Sequence, residues 1–372
     1  MTTRKAELES QSQGAGVEHN HTWLEIEQQP ELWPTTLERV RDAVARLQLQ
    51  SKLQDARVVI TGAGTSAYAA AAVAPAWPRS IAIPSTDLLL AAERYIRDAN
   101  VVISLARSGD SPESMAVVER IHRLRPEVWH LAITCNSRGA LATSPLVNSI
   151  ILDPRTNDQS LVMTSSFSNL VLAGLCLANE SLMGPLITRV AAEAQEKFVL
   201  IDKQMKELAH KVEDRLLFLA SAPLFGWAQE GALKVLEMTA GRFPVVAETY
   251  LGLRHGPMSF VRNDTMVICV LANDPWGRRY EVDLVRELRA KRLGYLVGIC
   301  GDRSESDDFT KLFDATIPAL LPQGPDAVRT AFEILVPQLF AYHLSLRTGL
   351  NPDNPSPAGV INRVAQGIHI YH

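Results

Sequence analysis

Short, continuously apolar segments alternate with longer amphipathic segments along the chain from residue 57 onward. In the first half the apolar segments are RVVITGAG, NVVISLARSG, WHLAITCNS and SIILDP, and the segments that follow them, such as SPESMAVVERIHRL, have helical spacing. Strands that are apolar throughout are typical of parallel sheets covered by helices on both faces. The pattern therefore predicts a doubly wound α/β domain.

The second half repeats this arrangement with RLLFLASAP, TMVICVLAN and GYLVGICGD. In both halves the second and third of these strands start about thirty residues apart, the length of one strand–helix–strand unit. We therefore predict an internal duplication of two tandem parallel-sheet domains of flavodoxin-like type, joined by a helical stretch near residues 183–213.

A helical segment precedes the first domain. The chain is polar to about His21, and TWLEIEQQPELWPTTLERVRDAVARLQ then has helical spacing, with Pro34 placed to open the helix. The predicted units are an N-terminal segment at 1–35, a first domain at 36–185, a second domain at 186–350 and a C-terminal tail at 351–372.

Composition narrows the class of protein. The 372 residues are 47% hydrophobic and 21% charged, with a net charge of −4. This balance argues against a nucleic-acid partner, and the apolar runs are too short for a membrane span. The first twenty residues contain no apolar stretch of the kind that a signal peptide needs. We expect a cytoplasmic protein that binds neither nucleic acid nor membranes.

The four cysteines show no metal-binding or disulfide spacing. Cys135, Cys176, Cys269 and Cys300 lie in apolar surroundings without a CxxC pair. We expect them to be reduced core residues, and the histidine spacings indicate no metal site either.

Hydroxyl side chains collect where the first-half strands meet their helices. Ligands of such sheets bind beyond the carboxyl ends of the strands, where helix N-termini favour anions. GAGTS lacks the third glycine of a dinucleotide fingerprint, and SLARSGDSPES contains four serines. Each serine alone is more simply a turn former or, for Ser111 before Pro112, a helix cap. As a set, we predict that they bind a phosphate monoester: Thr65, Ser66, Ser108 and Ser111, with Thr164 and Ser165 able to join them.

The second half supplies candidates for chemistry instead. Glu230, Lys234 and Glu237 lie at i, i+4 and i+7 of a predicted helix and so share one face. Such a face is either solvated, with a salt bridge worth about 0.3–0.5 kcal/mol, or a carboxylate base beside a lysine that tunes it. His255 follows in a loop before a Gly-Pro turn, and spacing does not separate a structural from a catalytic role for it.

Together these motifs resemble a known family. GAGTS, SLARSGDSPES and EGALKVLE followed by ETYLGLRHGP are similar to the sugar isomerase (SIS) family. They are similar in particular to the isomerase half of glucosamine-6-phosphate synthase, which is itself two tandem SIS domains. The opening TWLEIEQQPELW and the closing NPDNPSPAGVINRVAQGIHIY resemble the galactosamine-6-phosphate deaminase/isomerase group, also called tagatose-6-phosphate ketose/aldose isomerases. The resemblance runs from about residue 50 to the C-terminus.

The resemblance implies roles for the candidates. Glu237 matches the base that moves a proton between C1 and C2, Lys234 its neighbouring lysine, and His255 the histidine linked to ring opening. The hydroxyl set matches the sugar-phosphate loops. In the family the histidine often comes from the other subunit, so the resemblance implies a homodimer or higher homo-oligomer.

Several positions depart from the family pattern. Ala106 stands where a serine is frequent, Arg107 where the synthase usually has glutamine, and Arg254 where it has lysine. Gln366 aligns with a lysine that can form an imine in the synthase, with Arg363 nearby, so a Schiff-base step is not carried over. We expect Arg107 and Arg363 to contact the substrate.

The sequence shows no glutaminase domain and no N-terminal cysteine, and hence no ammonia source. We therefore expect deamination: conversion of galactosamine 6-phosphate to tagatose 6-phosphate and ammonia, without metal or cofactor. The alternatives are plain ketose/aldose isomerisation and a non-catalytic sugar-phosphate sensor.

Overall fold

The first half of the chain forms one five-stranded parallel sheet. The computed structural model describes residues 20–300, 308–365 and 367–371. The strands of the first sheet are β1 (Val58–Thr61), β2 (Ser80–Ala82), β3 (Val101–Ala106), β4 (Trp129–Thr134) and β5 (Asn148–Ile151). They are ordered β2-β1-β3-β4-β5, and all pairs are parallel.

The second half forms a sheet with the same topology. Its strands are β6 (Arg215–Leu219), β7 (Val245–Glu248), β8 (Thr265–Val270), β9 (Tyr295–Cys300) and β10 (Ala315–Pro318), ordered β10-β9-β8-β6-β7. Counted from its own first strand, this order is again second, first, third, fourth, fifth. The predicted fold class, two tandem doubly wound α/β domains with a helical N-terminal segment, is confirmed.

Helices cover both sheets and connect the halves. In the first half they are α1 (His21–Glu27), α2 (Gln29–Leu47), α3 (Leu49–Leu53), α4 (Thr65–Val73), α5 (Ser85–Tyr95), α6 (Pro112–Leu124), α7 (Ala140–Thr143) and α8 (Ser165–Ala178). Then come α9 (Glu180–His210), α10 (Phe225–Met238), α11 (Tyr250–Leu253), α12 (Pro275–Ala290), α13 (Asp326–Glu333) and α14 (Leu335–Arg347). Single 3₁₀ turns occur at Ala74–Ala76, Pro154–Thr156, Pro257–Phe260 and Asp308–Leu312.

The apolar pattern predicted the three central strands of each sheet and, in the first sheet, the edge strand β5. Every residue of β3 and β8 is buried, because helices cover both faces of each sheet. The strands β2, β7 and β10 were not predicted. They are only three or four residues long and partly exposed at the sheet edges, so they lack a continuous apolar run.

Pro34 does not open a helix. Helix α2 begins at Gln29, with Pro30 in its first turn, and Pro34 lies inside it. A proline one turn from the start removes a single backbone hydrogen bond. The buried side chains of Leu32 and Trp33 favour continuing the helix through this point.

The two halves pack against each other through α4 and α10. A Cβ on Gly226 would lie 3.1 Å from the backbone nitrogen of Ala72 and 3.2 Å from the carbonyl oxygen of Tyr68. The glycine therefore lets the two helix backbones approach closely. Across the same core Trp33 of α2 packs edge-to-face on Phe332 of α13, with ring centroids 5.1 Å apart.

The predicted linking helix is present as α9, which packs along both α2 and α14. The proposed domain limits at 35/36 and 185/186 fall inside α2 and α9, and those limits remain predictions. The four cysteines are buried and free. Within the described ranges, no helix combines the length and apolar character needed to cross a membrane.

Close packing of α8 on α4 gives a stability prediction. A Cβ on Gly174 would lie 2.7 and 2.8 Å from the two γ-carbons of Val73, so Gly174→Ala forces the helices apart. We expect it to lower the free energy of unfolding by about 1–3 kcal/mol, measured by urea denaturation.

Gly184→Ala is the matched control, since the atom nearest to a Cβ on this buried helical glycine is the end of the Arg41 side chain, 3.2 Å away, and all other neighbours are at least 3.8 Å away. Its better helix propensity should leave the stability unchanged or raise it by up to about 1 kcal/mol. Equal losses for the two variants would contradict this description of the packing.

Candidate active site

A buried lysine joins the two halves of the chain. Lys234 lies on α10, and its Nζ donates to three oxygens: Glu237 Oε2 at 2.8 Å, Thr65 Oγ1 at 3.0 Å and the carbonyl of Met163 at 3.2 Å. Glu230 Oε1 lies 3.0 Å from the same nitrogen. Thr65 and Met163 belong to the first half, so the ammonium group is held by both domains. We call Glu230, Lys234 and Glu237 the carboxylate–lysine triad.

Burial differs within the triad. The side chains of Lys234 and Glu230 are fully buried, whereas that of Glu237 is 23% exposed. The helix face is therefore not a solvated one, and the alternative of a surface salt bridge is wrong. Glu237 alone of the three presents its carboxylate to the outside.

Burial also changes the titration of the inner members. Desolvation, partly offset by Lys234, raises the pKa of the Glu230 carboxyl to about 7. For Lys234, burial alone would lower the pKa, but attraction to Glu230 and then to Glu237 outweighs it and holds the pKa above its usual value. The lysine is thus a permanent cation beside Glu237.

Tyr68 is a neighbour of the triad that the sequence analysis did not single out. It is half-buried on α4, one turn after Thr65. Burial, followed by the charges of Glu230 and Glu237, raises the pKa of its phenol above the usual value. A tyrosine in an alanine-rich helix gives no sequence signal for this placement, which depends on the packing of α4 against α10.

The loop between β3 and α6 holds Ser108 in a tight turn. Gly109 has φ +69°, and a Cβ there would lie 3.3 Å from Leu141 Cβ. A Cβ on Gly139 would lie 2.1 Å from the Ser108 carbonyl oxygen, so the next loop packs directly onto this turn. The Ser108 hydroxyl accepts from the Asp110 amide at 3.2 Å. The turn is therefore built by its neighbours and holds Ser108 at the carboxyl edge of the sheet.

Two helix N-termini meet at this edge. Because β1 and β3 are adjacent and parallel, the turns that lead into α4 and α6 lie next to each other at the same sheet edge, and the two helices then cover opposite faces of the sheet. In this described region neither helix start is capped by a side chain. Ser66 is buried at the start of α4, with its hydroxyl 4.0 Å from Met163 Sδ, and Ser111 is the N-cap residue of α6, with its hydroxyl 2.8 Å from that of Ser114.

The third predicted helix start is occupied by the chain itself. The carboxylate of Asp158 accepts from the amides of Thr164, Ser165 and Ser166 at 2.9, 3.0 and 3.0 Å, and from the Thr164 hydroxyl at 3.3 Å. Thr164 and Ser165 are fully buried. The Thr164 amide and hydroxyl and the Ser165 amide thus already stabilise an internal anion at the N-terminus of α8, and phosphate binding by these two residues stays a prediction.

Both predicted substrate-binding arginines contact protein atoms. Arg107 is buried, and its guanidinium donates to the carbonyls of Ser160 at 3.2 Å, Leu161 at 3.1 Å and Arg363. Arg363 Nε donates to the Asp158 carbonyl at 2.9 Å. Both arginines therefore help to attach the C-terminal tail to the rest of the protein.

Among the described residues, His255 forms no hydrogen bond or ion pair with the triad. It is exposed just after α11. The preceding Arg254 donates to Glu287 at 2.7 Å and Asp283 at 2.8 Å on α12. Gln366 lies outside the described residues. Among the side chains that are described, no group of three His, Cys, Asp or Glu is placed to hold a metal ion.

Comparison with known proteins gives close relatives over nearly the whole chain. The D-galactosamine-6-phosphate deaminase AgaS of Escherichia coli is 33% identical over 370 residues, covering 94% of this chain and 96% of the relative. A Streptomyces coelicolor protein assigned provisionally to the same AgaS deaminases is 36% identical over 371 residues, covering 94% and 95%. No protein-family model matches the chain.

A solved structure agrees with these relatives. The tagatose-6-phosphate ketose/aldose isomerase of Escherichia coli superposes with a TM-score of 0.84 at 30% identity, covering 96% of this chain and 99% of that one. The identities, the coverage and the shared two-domain fold confirm the resemblance read from the motifs. The chain belongs to the family of AgaS galactosamine-6-phosphate deaminases, two-domain proteins of the SIS type.

Proposed function

We propose that this protein is a galactosamine-6-phosphate deaminase in which Glu237 moves a proton from C2 to C1 of the ring-opened sugar. The observation that carries the proposal is the carboxylate–lysine triad. One carboxylate reaches solvent while a buried cation, held by both domains, sets its orientation. Independent support comes from relatives that match this chain almost end to end and are named as deaminases.

The reaction balances without a metal or cofactor. Glu237 takes the C2 proton of the open-chain aldehyde while the C1 oxygen is protonated, which leaves an enolamine between C1 and C2. Return of the proton to C1 gives a 2-imino sugar. Water then adds at C2 and ammonia leaves, which yields tagatose 6-phosphate. A positioned carboxylate suits both proton transfers because it acts first as base and then as acid.

The phosphate is proposed to bind at the paired starts of α4 and α6. Their uncapped N-termini and the hydroxyls of Ser66, Ser108 and Ser111 offer donors without adding positive charge. Thr65 is not assigned to the phosphate, because its hydroxyl accepts from Lys234. Thr164 and Ser165 are not assigned to it either, because they take part in the capping of α8 by Asp158.

His255 is proposed to act in a second copy of the chain. Its exposure, and the anchoring of Arg254 to α12 of the same chain, support a histidine presented outward. The active form is then a homodimer or a higher homo-oligomer, and the proposed compartment is the cytoplasm.

The first test measures ammonia release by the purified protein. We expect ammonia and tagatose 6-phosphate from galactosamine 6-phosphate and a rate at least about tenfold lower from glucosamine 6-phosphate, one hydrogen bond at C4 being worth about that factor. Glu237→Gln is the control for contaminating activity and should release none.

The solved neighbour named as a ketose/aldose isomerase gives the competing outcome. Conversion of tagatose 6-phosphate to an aldose phosphate, with no ammonia from either amino sugar, would favour plain isomerisation and overturn deamination.

The second test concerns the shared site. Glu237→Gln and His255→Ala are each expected to be inactive alone. The two variants are then mixed, unfolded and refolded together, so that hybrid dimers form. In each hybrid dimer one of the two sites has both wild-type residues. Because pairing is random, roughly a quarter of the wild-type activity should return.

If Glu237 and His255 of the same chain shared a site, every hybrid site would lack one residue. Absence of recovery in a sample whose hybrid dimers are demonstrated by native mass spectrometry would therefore contradict the proposal.

A further inference from the structure

Arg107 is a buried cation whose described partners are all backbone carbonyls. It is 6% exposed, and no carboxylate in the described part of the chain forms an ion pair with it. Burial lowers the pKa of the guanidinium, with Asp158 opposing this shift and Arg363 adding to it. A guanidinium presents its donors in a rigid planar fork, which is why it can join several carbonyls at once. Two of the three carbonyls belong to the loop 157–164, and the third belongs to the tail.

Arg363 of the tail also binds the loop 157–164. Arg363 donates from Nε to the Asp158 carbonyl at 2.9 Å and from Nη2 to Asn157 Oδ1 at 2.8 Å. Arg107 in turn donates to the Arg363 carbonyl. The two arginines therefore form a clasp: both side chains bind the loop 157–164, and Arg107 in addition binds the backbone of the tail at Arg363. Here the tail means residues 351–365.

Other groups hold the same loop in place. The tail's Asp353 carbonyl accepts from the Leu161 amide at 2.9 Å. On α1, Glu25 accepts from the amides of Gln159 and Ser160 at 2.5 and 3.2 Å. The loop is thus bound by the N-terminal helix, the tail and the β3–α6 turn together.

The far end of this loop reaches the reaction centre. The Met163 carbonyl accepts a hydrogen bond from Lys234 Nζ at 3.2 Å, and the Met163 sulfur lies 4.0 Å from the hydroxyl of Ser66. Only one residue, Val162, separates Met163 from the carbonyl of Leu161 that Arg107 holds. A shift of the tail therefore has a short covalent path to the lysine that orients Glu237.

We propose that Arg107 is a positioning residue that fastens the tail to the loop 157–164 and thereby holds the Met163 carbonyl against Lys234. It does not bind the substrate phosphate, although it directly precedes Ser108 in the serine-rich turn. Its effect on turnover rests on the proposed function, whereas its effect on the tail does not.

The test combines hydrogen exchange with kinetics. Arg107→Lys keeps the charge but cannot reach three carbonyls, and Arg363→Ala removes the returning half of the clasp while its carbonyl remains. Without substrate, we expect the bonded amides of Leu161, Gly359 and Ile361 to exchange at least about tenfold faster in both variants, since a hydrogen bond to a charged group is worth about that factor. Arg363 is partly exposed, so its replacement should leave the fold intact.

Arg155→Ala is the matched control. This exposed arginine precedes the loop and pairs with Glu31 at 2.6 Å and Asp153 at 3.1 Å, and its removal should leave amide exchange and kinetics unchanged.

In the kinetic arm, both clasp variants should lower kcat by more than they raise KM. The double variant Arg107→Lys/Arg363→Ala should be no worse than either single variant, because the two residues act as one unit. Unchanged amide exchange together with a raised KM and a constant kcat would instead make Arg107 a substrate ligand and overturn the clasp. Faster exchange in a protein whose wild type releases no ammonia would keep the clasp and reject the proposed function.

Discussion

The structure depends on one buried ammonium group. Removing a lysine from water costs several kcal/mol unless its charge and its protons are all matched. Lys234 meets this requirement only where α10 of the second half lies against the start of α4 and the Met163 carbonyl of the first. The position of Lys234 depends on the packing of the two sheets, on Gly226 and on the capping of α8 by Asp158. Loss of this packing would leave the Lys234 ammonium with only its two carboxylate partners on α10.

Duplication explains how the two halves divide the work. Both have the same strand order, yet the first presents uncapped helix starts and hydroxyls while the second presents a helix with two acids and a lysine. In the proposed function, the first sheet binds the phosphate and the second supplies the proton transfer, and the two sheets have the same topology. Neither half alone contains both functions, because Lys234 needs oxygen atoms from the other half.

The sequence predicted what local patterns encode and failed where distant contacts decide. The apolar runs of β3 and β8 predicted the fold, while short edge strands such as β7 lack such a run. The spacing of the triad predicted a shared helix face but not its burial. The carbonyl of Arg363 that Arg107 contacts lies 256 residues away in the chain, so no local pattern indicates this contact. Family membership could be recognised from motifs, whereas the capping by Asp158 required coordinates.

In the proposed mechanism, Glu237, oriented by Lys234, removes the C2 proton. Galactosamine 6-phosphate that carries deuterium at C2 tests this directly, with the label followed by NMR during incubation with the wild type and with Glu237→Gln. We predict that the wild type removes deuterium from C2 as ketose forms. The variant should bind the same substrate, shown by calorimetry, and leave the label at C2. Loss of the label at the wild-type rate in Glu237→Gln would show that a residue other than Glu237 is the base.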